Sequence, residues 1–268
     1  AAQGLARSKV PAPPPAPSLT LPQVQTATLA NGLTIRLVEM PEVPLVQFRL
    51  QVAGGARTDG ALAGLATFTA SMLDEGAGTR DALAIAAEAE FLGASLSTSA
   101  DWDHAVVSLR VPKRSMGPAL DLMADVALRP VFASAEVARQ RDLRLAAILQ
   151  QRDNPNAVAN TLFHAIVFPE GHPYHRSVTG DSASTARLDS ATVRGFYART
   201  FVPGRATMII TGDITLVEAR REIERRFGAW AGTGGGAVTA AAPPAPTYGP
   251  RTVYLTDKPG AAQSTIMI

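Results

Sequence analysis

Four histidines, His104, His164, His172 and His175, are the side chains here that could combine proton transfer near neutral pH with metal ligation. His172 and His175 stand three apart in Gly171-His-Pro-Tyr-His175, with Glu170 and Asp181 nearby. Such a set could ligate a metal, but a proline-containing loop leaves it poorly preorganised, so loop packing is the favoured reading. His104 follows Asp101, Trp102 and Asp103, and with Asp103 and one of Ser95, Ser97 or Ser99 it would form a hydrolase-like relay. No nucleophile elbow accompanies those serines. His164 falls in a helix whose apolar stripe, Val158, Leu162 and Ile166, is expected to be buried. Gly234–Gly236 would cradle a phosphate only between a strand and a helix N-terminus. An Ala/Pro run follows it instead, so it reads as linker. Trp102 and Trp230 could offer stacking platforms, but single aromatics at a turn and a domain end are packing anchors.

The composition narrows these chemistries further. Cysteine is absent, which removes disulfides, thiolate metal sites and cysteine nucleophiles. The formal charge is only +2, and 22 arginines against 3 lysines form no basic stripe, so no nucleic-acid footprint is present. With 46% hydrophobic residues the chain can bury a sizeable core. No apolar run approaches the ~18 residues that span a bilayer.

The elements that must position these residues can be read from periodicity. Residues 1–23 form a Pro/Ala-rich tail or linker, and 232–248 a Gly/Ala/Pro linker. Between them, 24–231 reads as one domain. Strands are expected at 25–29, 34–39, 45–52, 95–99, 104–111 and 205–211, the first two joined through Asn31-Gly32. Ala105, Val107, Leu109 and Val111 share one face of their strand. Helices are expected at 64–74, 81–92, 115–128, 134–151, 155–167, 190–200 and 215–227. Asp81 caps the second and Pro155 opens the fifth. Hairpins mixed with runs of helices indicate an α+β fold, a largely antiparallel sheet packed on helices. Strand-like runs at 252–255 and 264–268 suggest that 249–268 starts a second, truncated unit of a longer chain.

Against that frame, Gly64-Leu-Ala-Thr-Phe-Thr-Ala-Ser-Met-Leu73 followed by Glu75-Gly76 resembles the active-site helix of the pitrilysin/insulinase family of zinc metallopeptidases. In active members that helix carries H-x-x-E-H, two histidines on one helical face and a glutamate that activates zinc-bound water. The resemblance puts the first ligand position at Thr67, the base position at Ala70 and the second ligand position at Ser71. The family's third ligand, a glutamate before D-x-P, falls at Ala147 in Leu145-Ala-Ala-Ile148, ahead of Asp153-Asn-Pro155. All four positions are degenerate. Further short motifs keep family order: Ala30-Asn-Gly-Leu33, Val52-Ala-Gly-Gly55 with Arg57 and Asp59, Leu92-Gly-Ala-Ser-Leu96, Pro130-Val-Phe132, His172-Pro-Tyr174, Gly180, Phe201-Val-Pro203 and Gly212-Asp213. Thr256-Asp-Lys-Pro-Gly-Ala-Ala-Gln-Ser264 resembles the start of the next repeat.

The resemblance implies a metallopeptidase-like α+β unit with no catalytic residue and no zinc or other cofactor of its own. Zinc is expected only in a catalytic partner or half. The implied role is the non-catalytic half or subunit of a bacterial insulinase-like endopeptidase, enclosing unfolded peptide for a zinc-bearing homologous half or subunit, in a homo- or heterodimer. No nucleic-acid partner or membrane span is expected, and the implied location is the periplasm or outside the cell rather than the cytoplasm. Two readings compete: an assembly scaffold with no peptide handling, and an enzyme whose site has moved to His104 or to His172 with His175.

Overall fold

The computed structural model describes residues 22–232 and, further on, 249, 252–257, 259–260 and 263–267. Nearly all of the expected tail and of the expected linker lies outside the described residues.

The chain opens with β1 (Gln25–Thr28), β2 (Thr34–Glu39) and β3 (Leu45–Ala53), then α1 (Leu65–Ser71). A two-residue ladder, β4 (Gly76–Ala77) with β5 (Arg80–Asp81), leads into α2 (Ala82–Phe91), followed by β6 (Ser95–Ala100) and β7 (His104–Pro112). Then come α3 (Met116–Leu128), α4 (Ser134–Gln151), α5 (Pro155–Val167), α6 (Ser182–Thr185), α7 (Ser190–Thr200), β8 (Ala206–Gly212) and α8 (Leu216–Phe227).

Among the described residues six strands form one sheet in the order β1-β2-β8-β3-β7-β6. Every pairing is antiparallel except β2 with β8. Alternation assigns each face. One cross-strand row runs Leu37, Ile210, Phe48, Leu109, Leu96, and the next apolar row runs Ile35, Met208, Leu50, Val107. These rows meet α1, α3 and α8, which contribute Leu65, Phe68 and Met72, then Ala119, Leu120 and Met123, then Ala219, Ile223 and Phe227 to the same core. The row between them on the opposite face reads Arg36, Ile209, Arg49, Ser108, Ser97. That face is polar and keeps Arg36 and Arg49 exposed.

Polar clamps tie the layers. The Asn31 amide donates to Phe227 O at 2.7 Å and Trp230 O at 3.1 Å, while its Oδ1 accepts from Leu33 N at 3.2 Å. The first hairpin turn thereby caps the end of α8. Arg226 of α8, withdrawn from solvent, reaches Asp121 at 2.5 Å and the Gly117 carbonyl at 2.7 Å on α3, and Glu222 at 2.7 Å on its own helix.

Three expectations are corrected. The helix expected over 64–74 is shorter, because Met72 N turns back to Thr69 and Ala70 carbonyls and closes the last turn at Ser71. The stripe Val158, Leu162, Ile166 is not the buried side of α5, which has no fully buried residue; Leu162 and Ile166 are exposed. The inward side of α5 instead presents His164 to Trp102. The described residues of 252–255 and 264–267 belong to no strand and are exposed, with Thr265 donating to Asn156 Oδ1 at 3.0 Å. Their β-propensity finds no partner edge here.

Asn31→Ala removes four hydrogen bonds at a part-buried seam and is expected to cost about 1–3 kcal/mol. Urea unfolding should show a lower midpoint with an unchanged slope; an unaltered midpoint would mean that the turn is not a clamp.

Candidate functional site

Of the four degenerate positions, Thr67, Ala70 and Ser71 lie on α1 and Ala147 lies on α4. Asp59, buried, accepts from Gly64 N and Ala66 N, both at 2.7 Å, and so satisfies amides that the helix start leaves free. Burial raises its pKa from 3.8 to about 6, against the opposing pull of those amides and of Arg176. Gly64 (φ 87°) and Gly180 (φ 78°) press backbone on backbone. A Cβ on Gly64 would stand 2.5 Å from Thr179 O, and one on Gly180 2.1 Å from Ala63 O. Glycine is required at both positions, by conformation and by space.

Thr67, one turn further, donates to Val178 O at 2.8 Å. Ala70 is fully buried, and Ser71 Oγ donates to Phe68 O at 2.9 Å. Across from α1, Arg144 of α4 donates through Nη1 to Thr67 Oγ1 at 3.0 Å and Gly64 O at 3.1 Å. Its guanidinium lies 5.0 Å from the centre of the Phe68 ring. Burial lowers the Arg144 pKa to about 10, with Asp59 opposing the shift. Ala147 follows three residues later on the same helix and is exposed. This donor set does not fit a zinc ion. Two hydroxyls committed to backbone oxygens and two methyl groups offer no imidazole or carboxylate, and a guanidinium 3.0 Å from the first position repels a dication.

Arg144 was not among the candidate residues. The available signal was its place one helical turn before Ala147, which puts a long basic side chain on the face turned toward Thr67.

The relocated-site candidates are placed differently. Asp103 binds Arg57 at 3.2 Å and accepts from the Tyr174 hydroxyl at 2.7 Å, while His104 meets Asp101 at 3.7 Å. No hydrogen bond joins His104 to Ser95, Ser97 or Ser99, so the relay is not assembled. His164 stacks on Trp102 at 4.6 Å, and Phe168 stacks on His172 at 4.6 Å. His172 Nδ1 accepts from Tyr174 N at 2.9 Å, and His175 Nδ1 lies 2.8 Å from Phe168 O. Both loop histidines thus pack the 168–175 turn. Among the described residues no group of three His, Asp or Glu side chains converges as a metal would need. Trp230 packs on Phe227 as an anchor. Gly234–Gly236 lies outside the described residues.

Beside α1 runs β6, the last strand of the sheet, with one edge paired to β7 and the other pairing with no described strand. Thr98 of β6 donates to Asp74 just past α1, at 3.3 Å. Ser95, Ser97 and Ser99 are exposed along it.

The raised pKa of Asp59 fixes the sign of a pH effect. Between 3.8 and about 6 the folded chain holds a proton that the unfolded chain has released. Unfolding free energy attributable to Asp59 therefore falls as pH rises through that window, by at most about 1.4 kcal/mol per pH unit. Urea midpoints measured from about pH 4 to about pH 7 should show that slope, and Asp59→Asn should remove it. The same slope in both proteins would assign it to another group.

Comparison with known proteins adds to this geometry. The family model described as insulinase, peptidase family M16, matches residues 34–182, and the model of the peptidase M16 inactive domain matches 187–268. The junction falls at α6, yet β8 from beyond it lies hydrogen-bonded between β2 and β3. An uncharacterized zinc protease of Mycobacterium leprae is 28% identical over 202 residues, 75% of this chain and 45% of that protein. The crystal structure of a peptidase M16 inactive domain from Pseudomonas fluorescens superposes with a TM-score of 0.75 at 31% identity, over 79% of this chain and 52% of that one. The periplasmic protease PqqL from Escherichia coli shares the fold, with a TM-score of 0.71 at 20% identity over 80% of this chain and 25% of its own. The chain spans about half the length of the curated relatives it matches. By its matched models, its sheet and its helix order, the chain belongs to the insulinase family, peptidase family M16, and lacks the H-x-x-E-H motif.

Proposed function

We propose that this chain is the non-catalytic half or subunit of an insulinase-like zinc metalloendopeptidase, enclosing and positioning unfolded peptide for a zinc-bearing partner or half. The observation that carries the reading is β6, an edge strand without a partner on one side among the described residues, running alongside α1. An extended peptide can add to such an edge through main-chain hydrogen bonds, with no demand on its sequence. The chain itself carries no cofactor and cleaves nothing, since Thr67, Ala70, Ser71 and Ala147 supply neither ligand nor base. The same reading puts the protein in the periplasm or outside the cell. The periplasmic fold relative supports this, and no described helix is long and apolar enough to cross a membrane.

The scaffold reading keeps one specific observation. Leu83 and Phe91, eight residues apart on the outer side of α2, are 81% and 89% exposed, an apolar surface suited to assembly.

A fluorescent unstructured peptide titrated into a zinc-bearing homologue from the same source, with and without this chain, separates the two. Peptide handling requires tighter binding or faster cleavage when the chain is present, and only weak binding by the chain alone. Equal affinity and equal cleavage would leave the scaffold.

The ligand positions have their own test. A variant carrying Thr67→His, Ala70→Glu, Ser71→His and Ala147→Glu is expected to bind zinc at one ion per chain in metal analysis. Adding Arg144→Leu should tighten that binding by about tenfold, through loss of the opposing charge. A folded variant that takes up no zinc would show that these four positions do not converge.

A further inference from the structure

Arg144 differs from the other withdrawn arginines of the fold. Arg80 pairs with Glu88 and Asp125, and Arg226 with Asp121 and Glu222. Among the described residues Arg144 has no carboxylate within ion-pair distance, although it is half-buried against Phe68. The nearest acid acting on it, Asp59, spends both oxygens on Gly64 N and Ala66 N. Only Nη1 of the guanidinium is used, on Thr67 Oγ1 and Gly64 O. Nε and Nη2 have no partner among the described residues, and neither is sealed from solvent. These two nitrogens share one edge of the planar guanidinium, the edge whose parallel N–H bonds match the two oxygens of a carboxylate. Thr67, Gly64 and Phe68 hold the plane, so little side-chain entropy remains to be lost on binding. A cation with little water around it also gains more from an anion than an exposed one does.

We propose that the Nε–Nη2 edge of Arg144 is a carboxylate-binding site beside α1, receiving a carboxylate of the bound peptide. The inference rests on the peptide-handling reading and names the chemistry that such a ligand must present. Two sources share that chemistry, a C-terminal carboxylate and an Asp or Glu side chain. A neutral amide cannot replace either, because it brings one acceptor and no charge. Lysine in place of Arg144 would keep charge but lose the paired geometry.

The test uses the full chain with its arginines labelled with ¹⁵N, following the Arg144 Nε–H resonance. N-acetylglycine and N-acetylglycine amide are titrated first, since they need no strand edge. The acid should shift the resonance and bind about tenfold more tightly than the amide. Three unstructured peptides of otherwise identical sequence follow: a free C-terminus without acids, an amidated one with a single Glu, and an amidated one without acids. Preference for the first identifies the terminal carboxylate, and preference for the second the side chain. Arg144→Gln should abolish the preference, and Arg144→Lys should keep part of it. Equal affinity for N-acetylglycine and its amide in the unaltered chain overturns the site, whatever the variants do. A response to N-acetylglycine with no binding of any peptide keeps the site and overturns the peptide-handling reading instead.

Discussion

Met208 and Ile210 lie between Ile35 and Leu37 on one side and Leu50 and Phe48 on the other, so the centre of the sheet is filled by the last of the described strands. Until β8 enters, β2 and β3 have no partner on their facing edges, and the apolar rows that α1, α3 and α8 cover are split in two. The pairing is among the longest-range contacts in the fold, and contacts of that kind form late because loop closure must precede them. Everything described at α1 depends on it. The helix packs on β6 and β7, which are held in place through β3, and β3 is fixed by β8 on its other edge.

On that platform the start of α1 holds an acid and a base within one small region. A buried acid, Asp59, ties down the helix amides, and a half-buried base, Arg144, ties the Thr67 hydroxyl to α4. Each sits where solvation is poor, which is why burial raises the pKa of one and lowers that of the other. They face each other through the helix start rather than as a contact pair. The sheet face away from the helices follows a different rule, polar and well hydrated, with Arg36 and Arg49 outward.

Much of this was legible in the residues. Alternation placed Ala105, Val107, Leu109 and Val111 on one face, and all four are fully buried. Asp81 caps α2 by accepting from Ala84 N at 2.8 Å, as its place before an apolar helix indicated. The resemblance supplied what periodicity could not, the family and its degenerate motif. What failed was orientation. The stripe Val158, Leu162, Ile166 has helical spacing, but spacing says nothing about which side of a helix meets the core, and aromatic packing of His164 on Trp102 decided it. The β4–β5 ladder, two residues long, leaves no periodic signal. Arg144 escaped notice because its role depends on which helix lies opposite, a fact held by the topology and not by its neighbours in sequence.

The contact of Gly64 with Gly180 has a meaning for how this chain can change. At that seam no side chain of any size fits, so the space of acceptable substitutions there is empty. A few residues along, the Thr67 and Ser71 hydroxyls donate to backbone oxygens and the Ala70 methyl is buried, with no such press of backbone on backbone. Under the proposed non-catalytic role those positions are free to vary, while the seam between backbones stays pinned whether or not a relative is catalytic. Under that role, reaction and architecture are separable in this fold, because they are written in different residues.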